Sequence, residues 1–252
     1  MKKRILLYLL LSTVGFCYAQ DELPTVVPDR PGYVWGTEVT PHRKIIWDNG
    51  FGFERTPDGA RTLTLNTTML RYGLFKNMEI RVGTDFMLLY DSDAARPTFG
   101  IAPLSFGTKI CLYESKNLLP SVGFLAELRS PHIGSKELLP SHLAPSMYLL
   151  FEHSFGEHFW LCYNVGLEWD GETSAPKTYL ALGLGYNFTE SLGAFIETYN
   201  YLHSVERSQH MTELGFTWLV SRKVQLDIET DIDWRHLGKY YSVSCGVSWL
   251  IN

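Results

Sequence analysis

Four carboxylates stand at alternate positions in "KVQLDIETDIDW", residues 223–234: Asp227, Glu229, Asp231 and Asp233. Acids so spaced could do acid–base chemistry or bind a cation; equally, they could form a stripe of solvated charge. Two adjacent pairs, His153–Ser154 and His203–Ser204, raise a hydrolase reading. Neighbours on a strand point to opposite faces, so neither pair can make a nucleophile–base contact within itself. The other histidines, His42, His132, His142, His158, His210 and His236, fall mostly in or near expected loops and rims. Cys111, Cys162 and Cys245 are widely spaced and form no C-x-x-C or similar metal-ligand pattern. They read as small apolar fillers. No catalytic residue, metal or cofactor is expected.

The acids are positioned by a strand. Val224, Leu226, Ile228, Ile232 and Trp234 share the opposite parity, broken only by Thr230. Successive side chains of a strand point to opposite faces, so one face is apolar and the other acidic. The same alternation sets Phe159, Leu161, Tyr163, Val165, Leu167 and Trp169 on one face. It also sets Tyr241, Val243, Cys245, Val247, Trp249 and Ile251 against Ser242, Ser244, Gly246 and Ser248. About twelve such strands are expected, near 43–55, 61–74, 78–90, 102–114, 118–129, 142–155, 158–169, 177–188, 191–201, 210–220, 223–234 and 239–251. Short turns (75–77, 114–117, 155–157, 188–191, 221–223) alternate with longer connections (55–60, 91–100, 130–141, 170–177, 203–209, 235–239). Short turns on one rim and long loops on the other are expected of a membrane barrel.

"MKKRILLYLLLSTVGFCYAQ" has a basic start, an apolar run from Ile5 to Phe16 and a small residue at Ala19. It reads as a secretory signal peptide over 1–19. Phe16 is too bulky for Cys17 to make a good lipoprotein site. Without Lys2, Lys3 and Arg4, the 22 basic residues fall to 19 against 27 acids, a net charge near −8. That excludes nucleic acid as an expected partner. No later stretch reaches the 18 or so apolar residues of a spanning helix. Hydrophobic content of 45% is therefore spread through strands.

Alternation alone does not say which face is outward. Glycine, serine and charge on the polar face, strand length, and tryptophans near strand ends favour an all-β transmembrane antiparallel outer-membrane barrel over a soluble sandwich. Trp169 and Trp234 would mark the long-loop rim, and Trp218 and Trp249 the short-turn rim. Reversing the 223–234 strand would put four carboxylates into hydrocarbon, at a cost on the order of 10 kcal/mol. Inward parity then collects Glu79, Arg81, Asp85, Lys109, Glu127, Arg129, Glu168, Glu197, Glu213, Asp227, Glu229 and Asp231, with Arg71 joining them from a less regular strand. Such charges could line a solute pathway or form a salt-bridge lattice that fills the barrel.

The stretches "PDRPG" (28–32), "TMLRYGLFKNMEIRVGTDF" (68–86), "GIAPLSFGTKI" (100–110), "NVGLEWDG" (164–171) and "LALGLGYNFTESLGAFIETY" (180–199) cover much of the chain after the leader. They resemble the outer-membrane family named for the MetA-pathway of phenol degradation, whose members are labelled transporters. The resemblance implies a Gram-negative outer-membrane barrel that takes up small, including aromatic, compounds. Its partners would be outer-membrane lipid, a small-molecule solute and the barrel-assembly machinery. Two features depart from the family. Asp48 in "IIWDNGF" stands where a Gln–Glu pair is common, and the chain ends "SWLIN" rather than on an aromatic. Three parts are expected: a leader (1–19), an N-terminal periplasmic segment (20–42) and the barrel (43–252). Asp29 and Arg30 could tuck into the lumen and pair with its charges as a plug or gate. The alternatives to a transporter are a structural or surface-binding barrel and, less favoured, an outer-membrane lipid hydrolase.

Overall fold

The computed structural model describes residues 24–91, 96–115, 119–203 and 208–251. The leader expected at 1–19 lies outside these residues, as do Ser204 and parts of the connections near 91–100, 114–117 and 203–209.

The strands run β1 (Ile45–Arg55), β2 (Arg61–Phe75), β3 (Met78–Tyr90), β4 (Thr98–Ile101), β5 (Ser105–Tyr113), β6 (Ser121–Arg129), β7 (Ala144–Phe155), β8 (Phe159–Glu168), β9 (Lys177–Asn187), β10 (Leu192–Leu202), β11 (Gln209–Ser221), β12 (Val224–Asp233) and β13 (Tyr241–Ile251). Each pairs antiparallel with its neighbour, and β1 pairs with both β2 and β13. The sheet is therefore closed: twelve strands form the ring, with β4 as a short extra. Closure gives each of the twelve ring strands a partner on both sides, avoiding the open edge that hydrocarbon would penalise.

β4 corrects the expected single strand at 102–114. It lies in line with β5 against the upper half of β3, where Phe86 faces Ile101 and Gly83 faces Ser105. The break falls at Ala102–Leu104, around Pro103, which has no N–H to give the ladder. Leu104 instead donates to the Ile133 carbonyl in the 130–143 connection, 2.8 Å away. The irregular parity of β2 also has a cause. Register shifts between Thr64 and Asn66, and opposite them between Gly50 and Gly52, insert a bulge that swaps faces.

Burial shows which face is wet. Ile228 and Phe216 are 51% and 61% exposed, whereas Arg71, Glu79 and Glu213 are at 0%. Ions inside and aliphatics outside invert a soluble domain and match a barrel surrounded by lipid. Trp218, Trp249 and Trp234 are exposed near the two rims. Trp169 is not: its Nε1 donates to the Ser174 carbonyl, which ties the ring to its own loop.

The outward face carries a direct prediction. Ile228→Arg should cost about 2–4 kcal/mol in reversible urea unfolding from lipid vesicles if the residue sits near the bilayer midplane. An unchanged midpoint would mean that this face does not contact lipid.

Candidate functional site

Residues 24–42 make an excursion into the lumen. Val26 enters beside the 221–223 turn, its N–H donating to the Arg222 carbonyl, and packs with Ile46 and Leu250. The chain climbs to Tyr33 and returns past Thr37 and Thr40. It leaves where Arg43 donates to the Gly73 carbonyl and β1 begins.

Two consecutive residues hold opposite walls of the barrel. Asp29 meets Lys109 at 2.6 Å, Arg81 at 2.7 Å and Arg71 at 3.3 Å, on β5, β3 and β2. These cations also have acids from the wall: Glu79 and Asp48 for Arg71, Glu127 for Arg81. Arg30 turns the other way, to Asp227 at 3.1 Å and Glu229 at 3.4 Å on β12. A strand-like "DR" dipeptide sends its side chains to opposite sides, which is how adjacent residues span the lumen.

The returning backbone is held by carboxylates that accept its amides. Gly32 N–H donates to Glu229, and Tyr33 and Val34 both donate to Glu197. Trp35 exchanges two hydrogen bonds with the Asn164 side-chain amide. Thr37 donates twice to Glu152, and Thr40 twice to Glu79. An extended segment without strand partners must satisfy its amides somehow, and the lumen's acids do this.

At the apex, the segment meets rings. Tyr33 stacks on Tyr199 with centroids 4.3 Å apart, and Trp35 lies 4.7 Å from Tyr148 and 5.6 Å from Tyr179. Tyr201 completes the belt, 5.2 Å from Tyr179. The Tyr179 hydroxyl donates to the Tyr33 carbonyl. Tyr148, Tyr179 and Tyr199 sit three to five residues in from the long-loop ends of their strands, so the belt lies towards that rim. Below it, a cavity of about 270 Å³ lies between the segment and the wall, touching Val34, Glu38, Trp160 and Phe195. Above it, a cavity of about 190 Å³ opens among Arg129, Glu168, Lys177 and Tyr201.

The long loops are tied together over this mouth. Glu172 accepts from the Ser141 N–H and hydroxyl, both at 2.8 Å, which lowers its carboxyl below the usual range. Asp170 is lowered likewise by the Thr173 and Glu172 amides.

Among the residues singled out by parity, Arg71, Glu79, Arg81, Lys109 and Glu127 gather around Asp29, while Asp227 and Glu229 gather around Arg30. Glu197 holds amides of the 24–42 segment, and Asp231 accepts from the Tyr199 hydroxyl at 2.9 Å. Asp85 is partly buried on the inward face of β3 beside the lumen. Arg129 belongs to neither group. It stands exposed at the mouth, donating to the Trp169 carbonyl. Sequence reasoning missed Glu152, Asn164 and the aromatic belt. Their inward parity was a usable signal, because a ring on the polar face of a strand needs a lumen partner. His153, on the outward parity of β7, lies among Phe155 and Tyr163, with Ser154 on the opposite parity.

The family model described as "Putative MetA-pathway of phenol degradation" matches residues 28–250. The chain belongs to this family. Among solved structures, the fold is similar to an outer membrane channel from Pseudomonas putida F1. The TM-score is 0.67 at 14% identity, over 88% of this chain and 99% of that one. The NanC porin matches with a TM-score of 0.57 at 10% identity, over 81% and 98% of the two chains. The KdgM porin, solved with disordered oligogalacturonate, gives 0.55 at 10% identity, over 80% and 98%. Likeness at these identities establishes the barrel fold. No curated protein matches the chain.

Proposed function

We propose that the protein is an outer-membrane channel for small solutes, kept closed by its own N-terminal segment. The single observation that carries this reading is the paired latch across the lumen, Asp29 to Arg71, Arg81 and Lys109, and Arg30 to Asp227 and Glu229. A barrel filled only for rigidity needs no separate chain segment inside it, since wall side chains can fill a small barrel. Twelve strands lie between filled eight-stranded barrels and water-filled porins of 16–18, so clearing the lumen would leave a narrow pore. The aromatic belt adds a constriction towards the long-loop rim that suits flat or ring-bearing solutes. Lipid around the barrel, a small solute within it and the assembly machinery that inserts it are the partners of this reading.

The test is liposome swelling with a panel of small aromatics, sugars and acids, using the full chain and a variant lacking residues 20–35. The variant should admit some of the panel, the smallest fastest, and the full chain fewer. If the variant admits none, the transport reading fails and a structural barrel replaces it.

A further inference from the structure

The two halves of the lumen differ in charge. On β2, β3 and β5, the cations Arg71, Arg81 and Lys109 are matched by acids. On β10–β12, inward positions at the level of the plug carry Glu197, Glu213, Asp227, Glu229 and Asp231, and among the described residues of these strands there is no Lys or Arg. The cation serving this wall comes from the plug: Arg30. Its guanidinium is seated in a shaped place, with Nη2 on Asp227, Glu229 and the Ser244 hydroxyl at 3.1–3.4 Å. A Cβ added to Gly50 or to Gly246 would come within 2.3 Å of it, so both glycines leave room for the guanidinium. A cavity of about 120 Å³ adjoins this seat, lined by Glu54, Glu229, Asp231, Ser242 and Ser244. Beside it, Glu213 is fully buried, and its carboxyl meets that of Glu229, one of the two acids that hold Arg30. It faces Glu197 and Asp231 across the ladder. A buried acid among acids is a costly arrangement that a bound cation would relieve.

We propose that this wall is a binding site for small organic cations carrying a guanidinium or ammonium group, and that Arg30 is its resident competitor. The inference rests on the channel reading above and names the solute class of the same lumen. A guanidinium or ammonium N–H group can take the contacts that Arg30 makes through Nη2, and the serine hydroxyls of β13 supply further acceptors. The solute would displace Arg30, weaken one half of the latch and pass along the acidic wall. The concentrated negative charge would raise local cation concentration roughly tenfold or more.

The probe is methylguanidinium, with methylurea as its neutral counterpart, measured by equilibrium dialysis against the purified, folded full chain. Arg30→Ala should bind methylguanidinium saturably and methylurea not at all, while Arg30→Lys keeps the seat occupied and binds little. Adding Asp227→Asn and Glu229→Gln to Arg30→Ala should abolish binding. In hydrogen exchange of the unmutated chain, methylguanidinium should speed exchange of the Gly32, Tyr33 and Val34 amides, and methylurea should not. Absence of saturable binding to Arg30→Ala, or equal binding of methylurea, overturns the inference and leaves Arg30 a plain latch. Binding does not depend on conduction. Cation binding without solute permeation therefore sinks the channel reading alone, and permeation without cation binding sinks this inference alone.

Discussion

Removal of residues 20–35 should convert a nearly silent protein into one with discrete, stable conductance steps in planar bilayers. The deletion takes out Asp29, Arg30, Tyr33, Val34 and Trp35 while leaving every barrel strand. It therefore clears the Tyr33 and Trp35 contacts with the aromatic belt and both halves of the latch. The cations left behind keep acids of the wall: Arg71 retains Glu79 and Asp48, and Arg81 retains Glu127. Water entering the cleared lumen solvates Lys109, so the barrel should survive. The current should prefer cations, because the β10–β12 wall loses its counter-charge. Conductance no larger than that of the full chain would mean that the wall side chains themselves close the pore, and the segment would then be filler.

Asp29→Asn should loosen the plug without changing its shape. The carboxylate bridges three cations from three strands, and among the described residues Lys109 has no other acid within 4 Å, its further contact being the Gly36 carbonyl at 3.4 Å. Removing one partner of a buried charge group costs about 3–5 kcal/mol. Spent on docking rather than on barrel folding, that lowers plug occupancy about a hundredfold or more. Hydrogen exchange reads it directly, because the amides of Gly32, Tyr33, Val34, Trp35, Thr37 and Thr40 are protected only while docked on wall side chains. These six should exchange faster together, with strand amides unchanged. Unaltered protection would show that the backbone contacts alone hold the segment and that the charge latch is incidental.

Much of the wall was readable from the chain. Ile228 against Asp227, or Val165 against Asn164, is decided by a period of two, and that period is a property of consecutive residues. Lipid outside and ions inside follow from the cost of burying charge in hydrocarbon. The unreadable parts of the wall have local causes that parity does not register. Pro103 splits β4 from β5, and the bulge near Leu65 swaps the inward set of β2. The "DR" pair stood out in the N-terminal segment, yet Tyr33 and Trp35 beside it did not, because an isolated ring in a proline-rich stretch has no periodic context.

From its sequence alone the protein determines a barrel wall of about twelve strands, with the side chains of its regular stretches assigned to lipid or lumen, because pleating transmits orientation from one residue to the next. Only the tertiary structure decides which charges meet. Asp29 lies 80 positions from Lys109, and Arg30 lies 197 from Asp227. Those distances close only when the ring closes, β1 against β13, and the segment before β1 is led into the cavity that closure creates.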